Sequence, residues 1–303
     1  MSFRTLDPNE LAVKDLHQYI LGIVSPRPIA FASTLDAEGR PNLAPYSFFN
    51  AFSSNPPILV FSSNRKVKDN QTKDTLHNIR TSGEVVINAV NFAIMRQMAL
   101  ASIEYPSDVD EFAKAGLTPL ASDIVRPFRV AESPAHMECK VKDIITLGDK
   151  GGAGHLIICE VVKIHVRSSV LDDQDRIDPQ RIDLVGRMGR AFYVRASGAA
   201  IHTLFQPMDV MGMGFDQMPP SIRHSAVLTG SELAEIASLT AWPDRQAINH
   251  FAEIPEIAEL IESDEENLFE RLHQMAKQKL AYGSIEDAAG ILFLADQLSQ
   301  PNS

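Results

Sequence analysis

Apolar positions recur at two periods along this chain. Leu11, Leu16, Tyr19, Ile20 and Ile23 return at near-helical spacing, which predicts a helix over 9–23. Ile29–Leu35 is a strand-like run that meets the turn signal Asp36-Ala37-Glu38-Gly39, and Asn42–Phe48 returns as the second arm of a hairpin. Ile58–Phe61 and Glu84–Ala89 have the composition of short buried strands. Between them, Leu76 and Ile79 before Ser82-Gly83 predict a short helix starting near Thr72–Asp74. Ile94, Met95, Met98 and Ala101 mark a further helix from about Asn91. Residues 104–134 hold Pro106, Pro119, Pro127 and Pro134, a long excursion with one short helix around Asp110–Ala115. Met137–Leu147 and His155–Val166 alternate as two long strands. The glycine-rich loop 148–154 that joins them is expected to be a mobile hairpin tip, with His155 a solvated loop histidine.

The pattern changes after residue 203. Gln206–Pro220 is rich in Met, Gly and Pro and predicts a linker packed on something apolar, with Met208, Met211 and Met213 as its anchors. Three capping-box patterns follow, at Thr229–Glu232, Ser263–Glu266 and, in looser form, Ser284–Asp287. Each precedes an amphipathic run, and Gly283 stands where a helix C-cap belongs. The expected division is therefore 1–203, mainly β with helices, and 204–303, an α-helical extension.

Charge sharpens that division. Residues 1–203 carry 23 Lys+Arg against 23 Asp+Glu, whereas residues 204–303 carry 5 against 16, the whole net charge of −11. Neither part has the basic surface that nucleic acid requires. The longest apolar stretch, Ala288–Ala295, is too short for a membrane span, and the start lacks the apolar core of a secretory signal. Cys139 and Cys159 form no Cys-x-x-Cys pattern, so no metal site or disulfide framework is indicated. A cytoplasmic chain with two reduced thiols is the expectation.

Candidate chemistry concentrates between residues 26 and 75. Pro45 interrupts the hairpin's return arm and has no N–H for a ladder, so that arm is an edge or carries a bulge. Either is an ordinary edge feature, or a place where Ala44 and Ser47 leave room for a ligand. Phe61 closes a buried strand that ends in two hydroxyls, Ser62 and Ser63. Lys73, Asp74 and Thr75 open the following helix, whose unpaired N–H groups suit a phosphate. The Asp74 carboxylate opposes that reading unless it turns inward as a cap. A solvated basic loop before a capped helix is the plainer alternative.

The ordered series Pro26-Arg27-Pro28-Ile29-Ala30, Ser33-Thr34, Gly39, Asn42-Leu43-Ala44-Pro45-Tyr46-Ser47-Phe48-Phe49, Asn55-Pro56-Pro57 and Lys73-Asp74-Thr75…Asn78-Ile79 resembles the flavin reductase-like family. The resemblance covers roughly residues 10–200 and is strongest at 26–90. It implies an FMN-binding split β-barrel, with FAD as a possible substitute, in a family that includes flavoredoxin-type proteins and the reductase partners of flavin-dependent oxygenases. Carried onto this sequence, it implies that main-chain groups around Ala44, Pro45, Tyr46 and Ser47 face the ring edge, with Asn42, Phe61 and Asp74 also among the cofactor-binding residues. Ser62, Ser63, Lys73 and Thr75 would hold the phosphate, and Arg27 or Arg187 would balance charge on the reduced ring. It further implies NAD(P)H as hydride donor, a homodimer with sites near its seam, an oxygenase or electron-acceptor partner, and an excursion at 104–134 that covers the cofactor. Catalytic residues are not assigned, and an electron carrier without nicotinamide chemistry is the alternative function.

Overall fold

The computed structural model describes residues 2–204, 211–263 and 267–299. The chain divides into two compact units, Met1–His202 and Thr203–Ser303. Met208 of the expected linker and residues 264–266 of the second capping-box pattern lie outside the described residues.

The first unit begins with α1 (Val13–Ile23), which starts later than its apolar spacing suggests because Pro8–Glu10 forms a separate 3-10 turn. The strands β1 (Ala30–Leu35), β2 (Pro41–Tyr46), β3 (Phe49–Ser54) and β4 (Pro57–Ser62) follow, then α2 (Asp74–Ser82) and β5 (Glu84–Asn88). Next come α3 (Met95–Leu100), α4 (Glu111–Ala115) and the two-residue strands β6 (Pro119–Leu120) and β7 (Arg129–Val130). The long pair β8 (Ala135–Thr146) and β9 (His155–Val166) completes the sheet. A short helix α5 (Pro179–Ile182) and a small hairpin, β10 (Val185–Arg187) with β11 (Tyr193–Arg195), close the unit.

Seven strands pair antiparallel in the order β2-β1-β5-β8-β9-β4-β3. The two edges are thus consecutive in the chain and only Ser47 and Phe48 separate them. A flat sheet of seven strands would hold its edges about 29 Å apart at ~4.8 Å per step, whereas the link reaches about 10 Å. The sheet must curl into a barrel with its seam between β2 and β3. That is a split barrel.

Two apolar clusters fill this unit. Ala30, Tyr46, Phe61, Leu76, Ile79, Ile87, Cys139, Ile157 and Cys159 form the cluster beneath α2. Phe31, Leu43, Met98, Phe112 and Val130 form the other, on which α3 and α4 pack. The hairpin turn places Gly39 at φ +82°, and Gly83 ends α2 at φ +67°. Pro45 pairs with Phe31 in an unbroken register, so β2 is a plain edge rather than a bulge.

The loop 148–154 departs from its expected mobility. Arg65 N donates to Ala153 O at 2.9 Å and Gly152 N to Arg65 O at 3.0 Å, which stitches the loop to the segment after β4. A Cβ on Gly154 would stand 2.5 Å from Ser62 Oγ, so the close approach requires glycine there. His155 is likewise buried rather than solvated, with Nδ1 3.0 Å from Thr146 Oγ1.

The second unit is helical: α6 (Pro220–Arg223), α7 (Gly230–Ala237), α8 (Arg245–Ala252), α9 (Pro255–Glu262), α10 (Leu268–Ala281) and α11 (Ile285–Ser299). It has its own core, built from residues such as Ile222, Leu233, Ile236, Leu272, Ala276, Ile291 and Leu292. The Thr229–Glu232 capping box closes in both directions. Glu253, Glu256, Glu259 and Glu262 are exposed, so this part of the acidic charge is a solvated face. Met213 N donates to Leu239 O and Gly214 N to Ala237 O, which ties that end of the linker to α7's own terminus, while Met211 is 90% exposed. Among the described residues, no helix is long and apolar enough to cross a membrane.

Candidate functional site

Edge strand β2 is prepared by its sequence to face something other than another strand. Leu43 N points away from β1, because it donates to Glu111 Oε2 at 3.1 Å. By alternation, positions 41, 43 and 45 face outward, and two of them are proline. The outward edge therefore presents carbonyl oxygens and no free N–H, which also blocks pairing with a further strand.

Beside this edge lies a cavity of about 200 Å³ lined by Asn42, Ala44, Pro45 and Tyr46 from β2 and by Thr72, Lys73, Asp74 and Thr75 at the start of α2. Lys66 and Gln71 from the preceding loop, the segment 101–107, and Glu111 complete it. The sequence pattern thus brings seven of its thirteen site candidates to one place. Asn42 Nδ2 donates to Thr75 Oγ1 at 2.9 Å and to Thr34 Oγ1 at 3.1 Å, which locks β2 to the first turn of α2.

Lys73 is the N-cap of α2 and supplies no side-chain cap, so Asp74 is the first helical residue rather than the inward-turned cap. The helix's first N–H groups are left for an acceptor in the cavity. The Lys73 ammonium lies 5.2 Å from the centre of the Tyr46 ring. Burial lowers its pKa; Glu104 works against that shift and neighbouring Lys66 with it. Burial also pushes the Tyr46 phenol up to about 12. The Tyr46 hydroxyl lies among those of Thr75 and Ser63, yet neither Tyr46 Oη nor Ser63 Oγ meets a partner in hydrogen-bonding geometry. Buried hydroxyls without partners are uncommon; both lie out of solvent contact beneath the cavity.

Glu111 stands on the other side of the cavity. Burial raises its pKa, opposed by the Leu43 N–H and reinforced by the nearby Asp74 carboxylate. Glu104 reaches in from the segment 101–107 to pair with Lys66 at 3.3 Å.

A family model described as flavin reductase like domain matches residues 24–180, more than half of the chain. The chain belongs to the flavin reductase like domain family. This makes it a flavin-related oxidoreductase. An uncharacterized protein of Aquifex aeolicus is 38% identical over 184 residues, 60% of this chain and 91% of that one. Among solved structures, nitrilotriacetate monooxygenase component B from Bacillus cereus superposes with a TM-score of 0.62 at 29% identity, covering 68% of this chain and 98% of its own. A split barrel domain protein from Shewanella frigidimarina superposes with a TM-score of 0.56 at 26% identity, covering 65% and 94%.

The other candidates of this flavin reductase-like chain lie elsewhere. Arg27, Ser47, Phe61 and Ser62 line a second, largely apolar cavity of about 530 Å³ with Phe48, Phe49, Phe52 and Leu147. The Arg27 guanidinium is occupied by main-chain carbonyls, donating to Leu21 O at 2.8 Å, Val24 O at 2.5 Å and Met188 O at 3.2 Å. Arg187 stacks on Tyr193 at 4.6 Å and donates to Arg190 O. Neither guanidinium lines the cavity beside β2: that of Arg27 ties the end of α1 and the Met188 carbonyl to the barrel, and that of Arg187 stays within the small hairpin. Ser63 is buried beneath that cavity rather than lining it. Sequence reasoning did not select Lys66, Thr72, Glu104, Tyr105 or Glu111 for the site. Lys66 and Thr72 were within reach of the same phosphate-loop argument; the three others lie in the 104–134 excursion that the resemblance expects over the cofactor, where no motif singles out individual residues.

Proposed function

We propose that this protein binds FMN in the cavity between β2, α2 and the segment 101–107, and acts as a flavin reductase with NAD(P)H as hydride donor. The observation that carries the reading is the convergence of two lysines, two threonine hydroxyls and an uncapped helix start on one end of the cavity. That donor set suits a phosphate monoester. From the β2 edge, the outward carbonyl of Pro45 suits a ring imide N–H.

Flavin, once bound, supplies the hydride chemistry. The chain's own part is to bind and to orient. Lys66 and Lys73 hold the phosphate charge, while Asn42 keeps β2 and the first turn of α2 in register. Glu111 occupies the outward N–H of Leu43, so the β2 edge meets the ring without a competing donor. Ala44 has no side chain beyond Cβ to obstruct the approach.

The Bacillus cereus neighbour is a monooxygenase component, which supports a role in supplying reduced flavin to an oxygenase. A homodimer is part of the same proposal. Helix α1 buries none of its residues, Ile23 at its end is exposed, and Val24, Phe52 and Leu147 are exposed around the second cavity. Apolar surface of that kind marks a partner. One observation favours a carrier with resident cofactor instead: the segment 101–107 walls the cavity's phosphate end.

Flavin titration tests the binding site. FMN should bind more tightly than riboflavin, which lacks the phosphate. Equal affinity for the two would remove the phosphate from the account.

A further inference from the structure

Within the proposed FMN site, one group has the wrong sign for a phosphate. Lys66 and Lys73 are the cations of the cavity, and Lys66 is already paired with Glu104 at 3.3 Å. The Lys66 side chain is 26% exposed and the Glu104 side chain 67%, so the pair lies at the mouth rather than in the interior. Glu104 also acts on Lys73, since its charge is the largest influence opposing the burial of that ammonium. One carboxylate therefore faces both phosphate-binding lysines. The other nearby acids are differently placed. Glu111 is engaged by Leu43 N, and Asp74 belongs to the first turn of α2. Glu104 stands in a segment with no regular structure between α3 and α4, where nothing in the backbone requires an acid.

We propose that Glu104 is an internal competitor for the flavin phosphate, a determinant that keeps FMN exchangeable rather than resident. In the empty cavity the carboxylate occupies Lys66. An arriving phosphate must displace it, and a departing phosphate is replaced by it. The ion pair thus lowers affinity for FMN while leaving the ring contacts untouched. The same device resolves the tension in the site: the segment 101–107 walls the phosphate end, yet its own acid weakens what it covers. A reductase that releases flavin needs such an arrangement, and a carrier does not.

The inference rests on the FMN reading of this cavity, and the experiment separates the two. FMN and riboflavin are titrated by flavin fluorescence into the full-length protein and its Glu104→Gln, Lys66→Ala and Glu104→Gln/Lys66→Ala variants. An exposed ion pair contributes at most about 1 kcal/mol, or about fivefold in a dissociation constant. Glu104→Gln should therefore tighten FMN by about fivefold, more at low salt than at high salt, and leave riboflavin unchanged. Adding Lys66→Ala should abolish the gain. Unchanged or weaker FMN binding by Glu104→Gln would overturn the proposal, as would an equal gain for riboflavin, which would mean that the segment had simply loosened. Wild-type protein that binds FMN no better than riboflavin would instead refute the underlying site, and the competitor with it.

Discussion

At the scale of single residues, charge and burial decide most of what happens in the first unit. Lys73 combines a helix N-cap position, contact with an aromatic face and an ammonium whose burial is opposed chiefly by the charge of Glu104. Lys73→Ala should weaken FMN binding by about 1–3 kcal/mol, the worth of a charge-assisted hydrogen bond, with riboflavin binding nearly unchanged. Equal losses for both ligands, measured by the same titration, would assign Lys73 to folding instead. Glu138 shows the opposite use of charge. It is fully buried and accepts from the N–H groups of Asp123, Ile124 and Val125 and from His165 Nε2. Asp123 and His165 stand beside it as potential metal ligands, but these donors already occupy the Glu138 oxygens, and the group works as a tie between the excursion and β8. Despite the cost of burial, these donors hold its pKa down to about 2. A depressed carboxylate contributes stability that is fully present above its ordinary pKa and lost as pH falls through the depressed value. Glu138→Leu should cost about 3 kcal/mol near neutral pH by stranding three N–H groups. Urea melts should show the gap from wild type narrowing between about pH 4.5 and 2; a constant gap would mean that the carboxylate charge is irrelevant. Asn42 and Lys73–Thr75 were legible in the sequence because they sit in short motifs with local mechanisms. Glu104 and Glu111 were not, since their meaning comes from contacts with residues 38 and 68 positions away.

At the scale of elements, the hairpin, α2, β5, β8 and β9 follow from periodicity and turn chemistry within a residue or two. Strand β3 does not. Five of its six residues are exposed, so no apolar alternation marks it, and its partner β4 alone defines it. Helices α8 and α9 escaped for a related reason: each is eight residues long with few buried positions. The loop 148–154 misled because glycine permits two opposite outcomes, mobility and close packing, and only Ser62 and the Lys66–Val67 backbone on the far side reveal which. Glycine also decides packing in the helical unit. A Cβ at Gly290 of α11 would lie 2.0 Å from the Phe251 ring of α8. Gly290→Ala should destabilise that unit by about 1–3 kcal/mol through overpacking, and adding Phe251→Leu should recover part of the loss. Thermal unfolding of the two variants measures this; a neutral Gly290→Ala would show that the ring moves aside freely.

At the scale of the whole molecule, the charge step near residue 203 and the two separate cores describe the same boundary from different evidence. We propose that residues 1–202 are an autonomous domain, since both clusters of the barrel are built from residues within it. A chain ending at His202 should remain soluble, unfold cooperatively and bind FMN as the full chain does. Aggregation of that fragment, followed by light scattering, would show that the barrel needs the helical unit to cover it. The methionine-rich linker is expected from its sequence to pack on something apolar, and its residues Met213 and Gly214 bond to their own unit. The central claim concerns what the barrel does with its flavin. Protein loaded with FMN and mixed with NADH or NADPH under anaerobic conditions in a stopped-flow spectrometer tests it most directly. The account predicts bleaching of the flavin absorption band with at least one nicotinamide; bound FMN that neither nicotinamide bleaches, in repeated preparations, would contradict the reductase and leave an electron carrier.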